Sequence, residues 1–189
     1  MLSTFHIPTR ASVYLGCAVL FVALSGCANL ARPPHASVSA TPSTVQRERA
    51  LISEAAGVIR ADLAASERVY AGVDDLESLR QYETPSHYRF VSDDVKKFRS
   101  KGLVMRGHGR LYGFILAGVS TNKEGQTELK VGYCDDVSDT ALIGHDGHEL
   151  PRESKSPLVP LVTTLILTSS AGASPLIDAT YGSDQEDAC

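Results

Sequence analysis

Between Val45 and Tyr70 the apolar residues Leu51, Ala55, Val58, Ile59, Leu63, Val69 and Tyr70 recur at steps of three and four, while Glu48, Arg49, Glu54, Arg60 and Glu67 fall largely elsewhere. That period predicts a long amphipathic helix, opened by Ser43 or Thr44 as a cap and stopped at Gly72. A shorter helical piece is expected over Asp74 to Tyr82, with Leu76 and Leu79 inward, broken at Thr84-Pro85 because a residue before proline is pushed out of the helical region. Ser92-Asp93-Asp94 then reads as a cap with acids behind it. Lys96, Lys97, Arg99 and Lys101 before Gly102 read as the helix end whose dipole favours positive charge.

Beyond Gly102 the helical period disappears. Leu103 to Val119 mixes aliphatic and aromatic residues with four glycines, Asn122 to Gly125 reads as a turn, and Leu129, Val131 and Tyr133 alternate on one side of the next run. These are expected antiparallel strands of a hairpin. Asp146-Gly147 predicts a two-residue hairpin between Ala141–His145 and His148–Leu150. Leu158 to Thr168 and Leu176 to Tyr181 complete the strands. Helices first and strands after them define an α+β class.

The N-terminal pattern is of another kind. Met1 to Arg10 is polar with one arginine and no acid, and Ala11 to Leu24 is apolar apart from Ser12 and Gly16, which is the layout of an export signal. Leu24-Ser25-Gly26-Cys27 resembles a bacterial lipobox: small residues fit a narrow peptidase site and the thiol is the nucleophile for a diacylglyceryl group. The reading places a signal peptide at 1–26, lipid (palmitate-type acyl chains) on Cys27, and a flexible Ala-, Pro-, Ser- and Thr-rich tether over 27–44, followed by a domain over 45–189. The rival motif, Tyr14-Leu15-Gly16-Cys17, puts tyrosine where an aliphatic belongs. A cleaved signal without lipid and an uncleaved anchor are the other readings; the run is shorter than the about 20 apolar residues of a spanning helix. Two or more acyl chains hold a protein stably on a membrane surface.

Composition changes this picture in two places. The chain has 18 basic and 22 acidic residues, a formal charge of −4, and Arg10 is the only charge ahead of Cys27, so the domain is slightly more acidic still. No clustered basic face for nucleic acid is expected. Of four cysteines, Cys17 leaves with the signal and Cys27 carries lipid. Cys134 and Cys189 remain as an even pair expected to form a disulfide in an oxidising compartment; the alternative is two unpaired thiols.

Cys134-Asp135-Asp136-Val137-Ser138 at a strand end, Asp146-Gly147 in the next hairpin, Gly102-Leu103-Val104 before the first long strand, and Cys189 give an order that resembles small actinobacterial lipoproteins with a nuclear transport factor 2-like, or cystatin-like, domain. The resemblance covers most of Val45 to Cys189. It implies a strongly bent sheet folded around a helix, cone-shaped, with a pocket between them. The chain departs from it in having no tryptophan.

Candidate chemistry is sparse. His145 and His148 would face each other across the Asp-Gly hairpin and could hold zinc or copper, but no third ligand shares their face, so no metal is assigned. Asp135, Asp136 and Asp139 read as turn acids that accept backbone hydrogen bonds rather than as a calcium or acid/base set. Gly107-His108-Gly109 lacks phosphate-loop spacing and a following helix; it reads as a bend in a curved sheet. No catalytic residue and no cofactor is assigned. The expected function is a membrane-tethered module that binds a small apolar ligand or an envelope protein. The alternative is an isomerase- or cyclase-like enzyme, which needs a carboxylate aimed into the pocket and a tyrosine, such as Tyr70, Tyr112 or Tyr133, or a second acid opposite it; the acids are expected in turns or on polar helix faces.

Overall fold

The computed structural model describes residues 43–152, 156–168, 172–183 and 189, all within one compact unit, Thr41–Cys189. The signal and Cys27 lie outside the described residues. The tether does too, except that its last two residues belong to the helix. Thr44 is the first residue of α1 (Thr44–Tyr70), and Ser43 caps it: the Gln46 amide donates to Ser43 Oγ at 3.2 Å while the Ser43 amide donates to Gln46 Oε1 at 2.8 Å. Such a reciprocal cap contributes about 1 kcal/mol. At the other end Gly72 takes φ +75°, the left-handed stop the sequence predicts.

The second helical region departs from expectation. Leu76–Leu79 forms a short 3-10 turn, but α2 runs unbroken from Pro85 to Ser100. Thr84-Pro85 starts this helix instead of ending one. Thr84 is the N-cap, and Pro85 occupies the first turn, where its missing N–H costs nothing. Ser92 is therefore a buried mid-helix residue rather than a cap.

Among the described residues six strands follow: β1 (Val104–Arg106), β2 (Arg110–Thr121), β3 (Thr127–Asp136), β4 (Ala141–Ile143), β5 (Leu158–Leu167) and β6 (Leu176–Gly182). β2, β3, β5 and β6 form an antiparallel sheet in that order, and β1 pairs with β4 in a separate small ribbon. The class is α+β. The β2–β3 register slips between Tyr112 and Ile115, where Gly113 takes φ +70°. That bulge breaks strict alternation and lets Leu111, Phe114 and Leu116 all pack on the core face.

Two clusters hold the layers together. Ala55 and Ile59 of α1 meet Leu129, Val131, Leu165 and Ile177 of the sheet, while Ala65 and Val69 meet Leu79 and Val95 of the shorter helices. Phe114 stacks on Tyr133 at 5.1 Å, a contact of about 0.5 to 1.5 kcal/mol beyond its buried area. The outer face carries the Cys134–Cys189 disulfide.

Candidate functional site

A cavity of about 250 Å³ lies where α1, α2 and the sheet's inner face converge. Its α1 wall is the stripe Ile59, Asp62, Leu63, Ser66 and Tyr70, residues one helical face shares. α2 adds His87, Phe90 and Val91, and β3 adds Tyr133 and Asp135.

Glu83 enters by a separate device. The chain beside it joins β6: the Ile177 amide donates to the Tyr82 carbonyl at 2.7 Å and the Thr84 amide to the Ile177 carbonyl at 2.8 Å, making a parallel bridge between Glu83 and Ile177. Bridged residues share a face, so Glu83 is turned to the core side with Ile177. Thr84 Oγ1 then donates to Asp178 at 2.8 Å and also caps α2, which fixes the junction.

The cavity therefore holds three carboxylates. Both oxygens of Glu83 and one each of Asp62 and Asp135 are buried without a hydrogen-bond partner among the described residues. Glu83 is only 3% exposed. Burial disfavours the charged form and pushes Asp62 up to about 7. Burial, then the Asp62 charge, pushes Glu83 up to about 8. Asp135 is raised to about 6 by burial and then by Glu67 and Asp136. Among the described residues the wall has no lysine or arginine, and burial pushes the His87 imidazole down, toward its neutral form, although Asp178 opposes this.

The two tyrosines of the wall are otherwise engaged. Tyr70 donates to Asp94 at 2.7 Å. The Tyr133 hydroxyl is 2.8 Å from Thr163 Oγ1, itself 2.8 Å from Thr180 Oγ1. Tyr112 is on β2's exposed side, away from the cavity.

The three aspartates read as turn acids separate here. Asp136 does fix the strand exit, accepting from the Ser138 amide at 3.0 Å and from Arg110 at 3.1 Å, and Asp139 lies 3.4 Å from the same guanidinium. Asp135 does not belong with them: it continues the inward row of Leu129, Val131 and Tyr133 and reaches the cavity. The alternation that defines β3 contains this signal, as the α1 stripe contains Asp62 at a position where an apolar side chain is the rule. Glu83 has no comparable sequence signal, because its orientation comes from the bridge to Ile177, far along the chain.

The histidine hairpin is not built as expected. The Gly144 amide donates to the His148 carbonyl and the Gly147 amide to the Gly144 carbonyl, both at 2.9 Å, so residue 144 pairs with 148 around a three-residue turn. His145 is inside that turn and is not the cross-strand neighbour of His148. Among the described residues no group of three His, Cys, Asp or Glu side chains is placed to hold a metal ion. Gly107-His108-Gly109 separates β1 from β2 rather than bending one strand. Its backbone is anchored by Glu67, which accepts from the Gly109 amide at 2.6 Å, with His108 Nδ1 at 2.9 Å from the same carboxylate. A Cβ on Gly109 would stand 2.6 Å from Asp135 Oδ1, so a larger residue there would displace that carboxylate.

No family model and no curated protein matches the chain. Among solved structures it is similar to the intermembrane space region of the chloroplast protein ARC6, at 10% identity and a TM-score of 0.50, over 69% of this chain and 95% of that one. A periplasmic fragment of TraM aligns over the same shares at 10% identity with a TM-score of 0.48. The first of these likenesses is one of fold alone. Among the described residues no helix is long and apolar enough to cross a membrane.

Proposed function

We propose that this chain is an extracytoplasmic lipoprotein, anchored through lipid on Cys27, whose nuclear transport factor 2-like domain binds a small ligand in the cavity between α1, α2 and the sheet. The observation that carries the reading is the cavity itself: a concave, mostly apolar site with a few convergent polar groups is what small-molecule binding requires, and here both Glu83 oxygens and one each of Asp62 and Asp135 have no partner among the described residues. The lipobox supports the address, and the Cys134–Cys189 disulfide suits an oxidising compartment.

The second reading is the isomerase- or cyclase-like enzyme. It is favoured by carboxylates in the cavity with raised pKa values, the setting in which an acid serves as a proton donor or base near neutral pH. It is weakened by the tyrosines, because Tyr70 is committed to Asp94 and Tyr133 to the Thr163 and Thr180 chain, so only a second cavity acid is left to stand opposite the first. Binding is the stronger reading on that ground.

Two experiments test the proposal. Cys27→Ser should abolish labelling by a fatty-acid analogue and move the protein from the detergent to the aqueous phase; partitioning like the parent refutes the anchor. Native mass spectrometry of the parent should show a bound small molecule that is lost when Leu63 is replaced by tryptophan to fill the cavity. Identical mass spectra for parent and variant would count against the ligand site.

A further inference from the structure

We propose that the ligand is an organic cation, an alkylammonium with an apolar body, held by Glu83 with Asp62; this rests on the ligand-binding reading above. Glu83 is the anchor of the argument. A carboxylate only 3% exposed, with both oxygens unpartnered among the described residues and facing a cavity rather than packed protein, is a group open to a partner supplied by a ligand.

The chemistry of that partner is narrowed by what surrounds it. An anion meets three acids and no lysine or arginine in the wall. A neutral apolar ligand leaves four buried oxygens unsatisfied, at a cost of about 1 to 3 kcal/mol for each group. A bare metal ion needs ligands gathered at one point, and no group of three is so placed among the described residues. An ammonium supplies up to three N–H donors from one atom, and its hydrocarbon part suits the Leu63, Phe90, Val91 and Leu161 surfaces between the acids. Phe90, 70% exposed at the rim, offers an aromatic face of the kind that attracts cations.

Binding is coupled to protons. The titratable groups facing the site are Asp62 and Tyr70 from α1, Glu83 ahead of α2, His87 from α2, and Tyr133 and Asp135 from β3. Glu67 and Asp136 act on Asp135, Asp94 on Tyr70, and Asp178 on His87. With Asp62 and Glu83 raised to about 7 and 8, the empty cavity carries protons at neutral pH that an ammonium displaces. Affinity for the cation therefore rises with pH across this window, and a proton leaves the site for each ammonium that enters in its middle.

The test is titration calorimetry on the full-length, detergent-solubilised protein with cyclohexylamine, cyclohexanol and cyclohexanecarboxylate. An alkylammonium remains charged well above neutrality, as lysine does at about 10, so the probe's own titration does not confuse the result. Cyclohexylamine should bind at least tenfold more tightly than cyclohexanol, with the carboxylate weakest. Its affinity should increase at least tenfold from pH 5.5 to 8.5. At pH 7, binding heats in buffers of different ionisation enthalpy should report proton release. Glu83→Gln should lose at least tenfold in amine affinity with a melting temperature no lower than the parent's. Cyclohexanol binding as tightly as the amine, or a Glu83→Gln variant with undiminished amine affinity, overturns the cation proposal and leaves the ligand site standing. No binding by any of the three overturns both.

Discussion

Replacing Glu83 with glutamine should make the domain more stable at pH 8, by about 1 to 3 kcal/mol, and leave it nearly unchanged at pH 4. The reason is the sign of the shift. A carboxyl raised from 4.5 to about 8 in the folded state binds its proton more tightly there than in the unfolded chain. Its favourable contribution is complete below the unfolded pKa and is lost as pH rises through the folded one. Between about pH 4 and 8 the parent should therefore lose stability as the medium becomes more basic, the reverse of an acid held by a salt bridge. The displacement corresponds to an upper bound of roughly 5 kcal/mol, reduced by water entering the cavity and by relaxation of the neighbouring Asp62.

Asp62→Asn should behave in the same direction, since burial raises that group to about 7. The double variant should gain less than the sum of the singles, because removing either acid relieves the repulsion that penalises the other. Surface acids work the opposite way: Glu77 is lowered by Arg80, and Asp136 by Ser138 and Arg110, so what they add is lost only under acid conditions. Urea melts at pH 4, 6 and 8 measure all of this. A parent whose stability is level or rising from pH 5 to 8, or a Glu83→Gln variant weakened at pH 8, would show that these acids find partners in solution. Retaining such acids in an otherwise apolar wall weakens the unliganded domain, which is the trade expected of a binding site rather than of a core.

How far the chain could be read in advance follows from the range of the interactions involved. The first helix, its stop at Gly72 and a cap at Ser43 or Thr44 depend on neighbours within a few residues and were visible there; the structure decides for Ser43. β3 was visible in its alternation and β5 as a continuous aliphatic run, while the start of β2 was hidden by the glycines before it. Thr84-Pro85 was ambiguous in kind: proline disfavours the helix before it and favours the one after it, and the choice was settled by Thr84 bonding Asp178 on β6, a contact 94 residues away. Ser92-Asp93-Asp94 has the chemistry of a cap but stands within a helix whose Val91 and Val95 already face the core. The cavity acids were partly legible, Asp62 and Asp135 by breaking an apolar face, and Glu83 not at all, because its direction comes from a bridge to Ile177. The histidine pair failed for a local reason, since one extra turn residue changes which positions stand opposite each other.

Cys134→Ser and Cys189→Ser should each destabilise the domain by about 2 to 4 kcal/mol, and the double variant should be no worse than either. The bond joins residues 55 apart, and closing a loop of that length removes about 4 kcal/mol of unfolded-chain entropy on the loop-closure model. Both single variants lose the same crosslink, so their effects cannot add. Position gives the bond a further consequence. Cys134 is buried on the outer face of β3, between Tyr112 of β2 and Pro160 of β5 in register, while its neighbours Tyr133 and Asp135 turn inward to the cavity. The crosslink therefore pins, from behind, the strand segment that carries two groups of the site. Urea melts with and without dithiothreitol should bring the reduced parent to the stability of the serine variants, and amide exchange at Tyr133 to Asp136 should accelerate more than at Thr127 to Leu129 on the same strand. Equal acceleration along β3 would confine the bond's role to the unfolded state, and native protein that titrates with two free thiols would remove the premise.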